Sequence, residues 1–342
     1  MPFTPQQIAK ASKSALDFHL KNKPIDQVGY DKPLLNLLQQ GKQSFPGSRE
    51  YITEQLRTSR GSNFQWYRGA AQVSYNSRDP LSQAKFAWSG VHDGFAMDED
   101  EMLQNGIILT DDGSAKASEA EKIQLSNLLE EKMFALDEGF KEKFDEALYL
   151  DGSQDPEAIP GLSALISLTP AVGTIGGINR ATAPWWRNYA RTGVVAANLS
   201  SELEVAMRAV KLNGAFQGII LCGSAFLDAY REHCKDEIQR HVIVSGGAVS
   251  KMDTGVEELY FRGVPLVWSP TMDRLNDVGA SWAKRGYLIN KKHIKLRPAQ
   301  GHDMLARTPP RVYDRYVHYQ AVTWKGGVTI NRSNGHGVIE LA

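Results

Sequence analysis

Residues 116–150 are KASEAEKIQLSNLLEEKMFALDEGFKEKFDEALYL, and their spacing indicates a long α-helix with one apolar side. The apolar positions recur at steps of three or four: Leu125, Leu129, Met133, Leu136, Phe140, Phe144 and Ala147. That interval places them on one face, and Ser118 is a candidate N-cap. At 1.5 Å per residue the helix would be about 50 Å long, several times the usual length. We therefore expect a rod buried on one side only, here called the spine helix.

The composition is that of a globular chain without a strong electrostatic field. Of the 342 residues, 42% are hydrophobic and 23% charged, and 39 basic residues balance 39 acidic ones. This balance gives no reason to expect attraction to nucleic acid or to a membrane surface. The two cysteines, Cys222 and Cys234, favour a reducing compartment over a disulfide scaffold. Since no apolar run reaches the ~18 residues of a membrane span and the N-terminus lacks a signal-peptide pattern, we expect synthesis in the cytosol.

The sequence before the spine helix divides into an arm and a hairpin. Residues 1–61 contain two short helix patterns, at 4–20 and at LLNLLQQ after Pro33, with too few apolar positions for a core of their own. A terminus that packs back onto its own domain is an equal alternative. Residues 62–95 alternate aromatic and polar side chains around a turn cluster at 76–80, which predicts a long β-hairpin. Because an isolated two-stranded hairpin is marginal in water, it must fold onto its own domain or onto another subunit.

The most distinctive segment is TPAVGTIGGINRATAPWWRN at 169–188. Its glycines do not form a phosphate loop, because no Gly-Lys-Ser/Thr follows, and their spacing differs from the dinucleotide fingerprint. Trp185, Trp186 and Arg187 are of the residue types enriched at interface hot spots, which makes them candidate contacts. A tryptophan pair buried in its own domain fits the sequence equally well.

The second half of the chain predicts a compact α+β or α/β domain followed by a β-meander. The predicted elements are a helix at 201–212 capped by Ser200 or Ser201, a strand at 217–222, a helix at 224–234, strands at 258–261 and 265–269, and a strand at 285–291. Helices and strands in this order build a layered domain. Residues 316–341 alternate with period two and contain Lys325-Gly326-Gly327 and Asn334-Gly335, which predicts a meander with two turns.

We predict no catalytic, cofactor-binding or metal site. The eight histidines include no HExxH spacing, and the group of His233, Cys234 and His241 is too irregular to indicate a metal. Ser224 follows a strand, but the GxSxG of a nucleophile elbow is absent. A long one-sided helix, an aromatic hairpin and an arm without a site indicate a self-assembling structural protein.

The order of these parts resembles the major capsid proteins of tailed bacteriophages, which have the Hong Kong 97-type fold. The motifs that carry the resemblance are SNFQWYRGAAQVSYN, AKFAWSGVHDGF, LYLDGSQDPEAIPGL and GTIGGINRATAPWWRN. The resemblance implies an α+β fold with the following parts: an N-terminal arm (1–61), an extended hairpin or E-loop (62–95), a peripheral domain (96–197) with the spine helix, an axial domain (198–305) and a closing β-segment of the peripheral domain (306–342).

The resemblance also implies a function. Hexamers and pentamers would close an icosahedral shell, the virion capsid, around double-stranded DNA without reading its sequence, after assembly in the host cytoplasm. No enzymatic activity, cofactor or membrane is implied. The candidate subunit contacts are Trp66, Arg78, Trp88, Arg180, Trp185, Trp186 and Arg187. Residues 1–61 show no sustained heptads, so we expect a separate scaffolding protein; a portal and decoration proteins are further candidate partners.

Some members of that family cross-link covalently through a hairpin lysine. Lys85 is the only lysine within residues 62–95, and a lone surface lysine gives no reason to expect a cross-link.

Two alternatives stay open on sequence alone. An α/β enzyme would use the strand–turn–helix at 217–234 as a small-ligand site and would need convergent polar groups there. A shell protein of another kind, such as a bacterial encapsulating compartment, would share the same fold. The enzyme would be a small oligomer with a ligand-dependent melting temperature, whereas a shell protein would form megadalton particles.

Overall fold

The computed structural model describes residues 31–47, 50–59, 61–77, 80–104, 119–212, 214–236, 259–275, 281–307, 309 and 317–342. They divide into two compact units. The larger takes in 31–91, 141–304 and 324–342, and the smaller takes in 92–140 and 305–323. Several predicted features lie outside the described residues: the helix at 4–20, Ser118, Arg78, His241 and the side chains of Leu125, Leu129 and Cys234.

The first described helix packs into the larger unit. Helix α1 (Pro33–Gln40) buries four leucines at helical spacing, Leu34, Leu35, Leu37 and Leu38. Beyond it, the Phe45 N–H donates to the Pro298 carbonyl at 3.0 Å. Of the two interpretations left open for this segment, a terminus packed onto its own domain is the one that describes residues 31–47, and a loose arm is wrong for them.

The predicted hairpin exists with different pairing. Strand β1 (Ile52–Arg57) pairs antiparallel with β2 (Leu81–Phe86), so the ladder begins ten residues before 62. Residues 61–77 form no regular strand, and β3 (Ser89–Asp98) pairs with β13 (Val317–Ile330) in another sheet. The prediction of strands within 62–77 was wrong because alternation identifies a face but not a backbone partner.

The spine helix is confirmed. A short helix α2 (Glu99–Gln104) precedes α3 (Glu119–Tyr149), which has 31 residues. Among the described side chains of α3, those at 131–149, the buried ones are Leu136, Phe140, Phe144, Asp145, Leu148 and Tyr149. Burial is therefore wider at the C-terminal end than a single stripe predicts. There Phe144 packs against Trp324, with ring centroids 4.7 Å apart, so the apolar side does contact the C-terminal β-segment.

A short glycine turn follows the spine helix. After α4 (Leu162–Leu165), strands β4 (Thr174–Ile175) and β5 (Ile178–Asn179) pair antiparallel around Gly176 and Gly177. The two glycines have φ of +60° and +77°, which is the left-handed region that such a two-residue turn requires. We call residues 174–179 the glycine hairpin. Its glycines make a turn and not a phosphate cradle.

One hydrophobic core surrounds a six-stranded sheet. Its order is β6 (Tyr189–Val194), β14 (Gly337–Leu341), β10 (Arg285–Asn290), β7 (Gly218–Cys222), β9 (Val264–Trp268) and β8 (Leu259–Phe261). Helices α5 (Leu199–Lys211) and α6 (Ser224–Asp236) contribute buried residues to this core, and α7 (Pro270–Leu275) follows β9. The predicted strands and helices between 199 and 290 are confirmed in kind. The predicted cap is wrong, because α5 begins at Leu199, before Ser200 and Ser201.

Two strands of this sheet come from outside the predicted axial range. Strand β14 pairs with β10 and β6, so residues 189–194 and 337–341 join a sheet whose other strands lie within 198–305, the range that the resemblance implies for the axial domain. The predicted closing segment at 306–342 is thus divided between two sheets. Only β13 pairs with β11 (Ile294–Pro298) and β12 (Leu305–Arg307).

The predicted meander is wrong at its first turn. Strand β13 runs without interruption through Gly326 and Gly327. A Cβ on Gly326 would lie 2.5 Å from the Arg297 carbonyl oxygen, and one on Gly327 would lie 2.7 Å from that of Ala87. These glycines permit close backbone approach within the sheet, which sequence inspection cannot distinguish from a turn.

Candidate assembly surface

Residues 61–77, here called the aromatic loop, carry a dense group of exposed apolar side chains. Its exposed members are Phe64, Trp66, Tyr67, Val73 and Tyr75. Trp66 and Tyr75 are 92% and 91% exposed, which is unusual for side chains of their size. Their surface is available for contact with another molecule.

Side chains, not a backbone ladder, join the two sides of the aromatic loop. The Asn63 amide donates to the Ser74 carbonyl, and the Ser74 N–H donates to Gln65 Oε1 at 3.4 Å. Gln65 Nε2 also donates to Asn63 Oδ1 at 2.9 Å. The Phe64 and Trp66 rings meet edge to face with centroids 5.3 Å apart. The loop therefore has a local shape of its own while its aromatic faces stay open.

The exposed aromatics favour association. A Phe, Tyr or Trp side chain buries about 150–250 Å² when covered, at about 25 cal/mol per Å². In a single copy of the chain these side chains stay in water, so this stabilisation is absent. A second surface that covered the loop would bury them and so gain it. The geometry is thus suited to contact between molecules.

The ladder of β1 and β2, here called the stem of the loop, is anchored on its β1 side by an ion pair. The Arg297 guanidinium binds the Glu54 carboxylate, and Thr329 Oγ1 donates to the same oxygen, Glu54 Oε1, at 3.0 Å. Both charged side chains are largely buried. Breaking such a pair leaves an uncompensated buried charge, so the stem is held firmly to β11 and β13.

The predicted contact residues differ widely in exposure. Trp66 is open, whereas Trp88 is half-buried, with its ring centroid 6.1 Å from that of Phe45. Trp185 and Arg187 are also half-buried. Arg187 Nε donates to the Arg180 carbonyl at 2.7 Å, within its own segment.

Arg180 and Trp186 lie inside the chain, and each is only 2% exposed. Arg180 Nη2 donates to the Leu165 carbonyl at 2.8 Å and to that of Ala164 at 3.1 Å, so it caps the end of α4. Burial lowers the pKa of Arg180 to about 10. Trp186 Nε1 donates to the Ile175 carbonyl at 3.1 Å. Their side chains offer almost no surface to a neighbour, which favours the interpretation of a tryptophan buried in its own domain for Trp186.

The spine helix carries a buried carboxylate, Asp145, that its sequence did not indicate. Asp145 is fully enclosed near the end of the spine helix, where it accepts from the Leu35 N–H at 3.0 Å and from Thr271 Oγ1 at 2.6 Å. Burial raises its pKa to about 6. The spacing of acids along a charged helix gives no signal of this. Asp145 serves as the cap of α1 and ties that helix to α3 and α7.

The described side chains of the strand–turn–helix at 217–234 make structural contacts and bring together no catalytic set. Ser224 donates to Asp273 Oδ1 through both its N–H and its hydroxyl, each at 2.9 Å, so Asp273 caps α6. His233 instead pairs with Ser200, at 2.7 Å. Burial raises the pKa of the Cys222 thiol to about 12, which suppresses the nucleophilic thiolate.

Within the part of the chain that the structure describes, no three metal-ligating side chains come together. Among those same residues, no helix has the length and apolar character needed to cross a membrane.

No protein-family model matches the chain, and no curated protein matches it in sequence. Solved structures do match its fold. The capsid asymmetric unit of cyanophage A-1(L) is 16% identical with a TM-score of 0.60, covering 94% of this chain and 96% of that one. The capsid of cyanophage P-SCSP1u is 10% identical with a TM-score of 0.57, covering 100% and 99%.

The capsid of Myoviridae phage XM1 is 12% identical with a TM-score of 0.56, covering 95% of this chain and 97% of that one. These matches extend over nearly the whole of each chain. The prediction of a Hong Kong 97-type α+β fold is confirmed.

Proposed function

We propose that this chain is a major capsid protein of a tailed bacteriophage, which assembles with copies of itself into an icosahedral shell. One observation carries the proposal: nearly the whole chain shares its fold with subunits of several phage capsids. A shared fold alone does not fix a function, so the local features of this chain must fit the role as well.

The aromatic loop fits it. Its exposed rings give a subunit a surface that another molecule can cover. The anchored stem keeps the loop from folding back onto the core of its own chain. Contact with a neighbour would then stabilise both the loop and the assembly, because binding to a folded form adds to its stability.

The described polar side chains near 217–234 fit it too, since Ser224 and Asp273 form a helix cap and His233 forms a hydrogen bond with Ser200. The contacts of Ser224, His233 and Cys222 give no reason to propose a ligand site. We therefore propose a structural, non-enzymatic role.

The regions take the following parts in this proposal. The aromatic loop with its stem is the E-loop, α3 is the spine of the peripheral domain, and the six-stranded sheet with α5 and α6 is the axial domain. Trp66 is the leading contact residue, Trp88, Trp185 and Arg187 have partial surface to share, and Arg78 stays a prediction. Arg180 and Trp186 are left out because they are buried in the chain itself.

The partners follow from the same role. We propose hexamers and pentamers of this chain, a separate scaffolding protein, a portal and decoration proteins, with assembly in the host cytoplasm into virions. Double-stranded DNA would be enclosed without base-specific contacts. The net formal charge of zero is consistent with the absence of strong electrostatic binding to it.

Purification of the full chain, with and without the neighbouring phage genes, followed by electron microscopy tests the proposal. We expect capsomers or closed shells of megadalton mass. A stable monomer or small oligomer under all conditions would overturn it. Shells that enclose host proteins and no DNA in an infected or induced cell would instead indicate an encapsulating compartment.

A further inference from the structure

The stem of the aromatic loop touches a second element, the glycine hairpin. The Lys85 N–H of β2 donates to the Gly176 carbonyl at 2.9 Å. A Cβ on Gly176 would lie 2.9 Å from the Ala84 Cβ and 3.1 Å from the Phe86 ring. Both side chains are buried. Backbone and side chains of β2 thus rest directly on the turn, with no room for a larger residue at position 176.

The glycine hairpin is itself fixed to the body of the chain. Ile175 is buried, and its carbonyl accepts from Trp186 Nε1 at 3.1 Å. The Arg180 N–H donates to the Gly173 carbonyl at 3.0 Å, closing the residues on either side of the hairpin. This gives Trp186 and Arg180 a role that the sequence did not indicate: they hold the element against which the stem rests.

The stem is therefore held from two sides. The ion pair of Glu54 with Arg297 fixes β1. Gly176 lies against Ala84 of β2, and Ala84 is the residue that pairs with Glu54 across the ladder. Two separate attachments at one level of a two-stranded ladder prevent it from pivoting. The direction in which the aromatic loop leaves the body is set within one chain.

We propose that Gly176 is a positioning residue, which presets the direction of the aromatic loop so that a second copy of this chain meets it within a narrow range of angles. The inference rests on the proposed capsid role. A preset loop lowers the entropy lost on association and restricts the angle between neighbouring subunits. Regular closure of a shell requires such a restricted angle.

Two alanine substitutions separate this contact from backbone strain. Gly176→Ala and Gly177→Ala both place a side chain at positive φ, so both strain the turn. At Gly177 the new Cβ would meet nothing within 4 Å, whereas at Gly176 it would collide with Ala84 and Phe86. Gly177→Ala is thus a matched control for strain alone.

Hydrogen exchange on the unassembled full-length chain reports the contact directly. We expect the Lys85 amide to exchange about tenfold faster in Gly176→Ala than in Gly177→Ala, since its acceptor is displaced, while amides of the six-stranded sheet exchange alike in the two variants. Equal exchange in the two variants would overturn the proposal.

Electron microscopy of assembled material is the second readout. We expect Gly176→Ala to give open or irregular particles under conditions in which Gly177→Ala gives closed shells. Faster exchange with unchanged shells would overturn the positioning role. If the unmodified chain formed neither capsomers nor shells, with or without neighbouring phage genes, the capsid role would fail, and the exchange difference would still decide whether Gly176 holds the stem.

Discussion

The six-stranded sheet buries its apolar side chains, whereas the aromatic loop exposes them. In the sheet, Ile220, Leu288 and Ile339 are fully buried against helices of the same chain. In the loop, Trp66 and Tyr75 are almost fully exposed. The sheet completes its core within one copy, whereas the loop has a fixed stem and an unfinished surface. The sheet stabilises the single chain, whereas in the proposed shell the loop joins one copy to the next, and each substitution that follows affects one of these two roles.

The largest expected effect is on the sheet. Leu288→Ala removes a fully buried side chain from the central region of β10, and we expect the free energy of unfolding to fall by about 2–5 kcal/mol. Chemical denaturation of the unassembled chain measures it. Leu212→Ala is the matched control, because Leu212 is exposed and the same atoms are removed. A loss at Leu288 no greater than that at Leu212 would contradict a core built within one copy.

A pH-dependent effect is expected at the junction of α1 and the spine helix. The pKa of Asp145 is raised from 3.8 to about 6, so protonation of this carboxyl stabilises the folded state relative to the unfolded state. This contribution is complete below pH 3.8 and is lost as pH rises through about 6. Asp145→Asn should therefore be more stable than the unmodified chain at pH 7, by up to about 3 kcal/mol, and the gap should close toward pH 4.

The quantity to measure is the difference in the free energy of unfolding between Asp145→Asn and the unmodified chain, at each pH. His336, whose pKa burial lowers to about 3, destabilises both as pH falls below 6.5 and cancels in the difference. Asp228→Asn, at an exposed carboxylate, is the control for the substitution itself. A gap for Asp145→Asn that did not change between pH 7 and pH 4 would show that the carboxylate does not titrate as described.

Changes in the aromatic loop should affect association alone. Trp66→Ala removes the most exposed ring, so we expect an unchanged thermal midpoint for the unassembled chain. Assembly should weaken by about 2 kcal/mol per contact, the size of an interface hot spot. The critical concentration for shell formation, determined by light scattering, measures it. Trp66→Phe should recover part of the effect, and an unaltered critical concentration in Trp66→Ala would exclude Trp66 as a contact.

The smallest expected effect is at Lys85. Its side chain is exposed on β2, and only its backbone N–H has a role in the stem. We expect Lys85→Arg to leave stability and shell formation unchanged, and purified particles to run as monomers on a denaturing gel. A ladder of covalent multimers that disappears in Lys85→Arg would show that the side chain forms a cross-link.

Periodicity predicted those elements whose side chains face a core of their own chain. The spine helix and β7 follow from local spacing. Residues 64–75 have an equally clear alternation but form no strand, since strand formation requires a partner that alternation does not specify.

The meaning of the glycine pairs depends on distant neighbours. Gly176-Gly177 is a turn and Gly326-Gly327 lies within a strand, although both are adjacent glycines between β-type residues. Only the three-dimensional approach of Ala84 or Arg297 distinguishes them. The same holds for Asp145, whose burial depends on α1 and α7, each more than 100 residues away in sequence.

Oxidative footprinting of Trp66 before and after assembly tests the central claim most directly. Hydroxyl radicals modify an exposed indole and spare a covered one, and Trp186 serves as an internal reference because it is already buried in the single chain. We predict that Trp66 oxidises rapidly in the unassembled chain and becomes protected in shells, while Trp186 is protected in both. A Trp66 that remained equally reactive after assembly would contradict the claim that a second copy covers the aromatic loop.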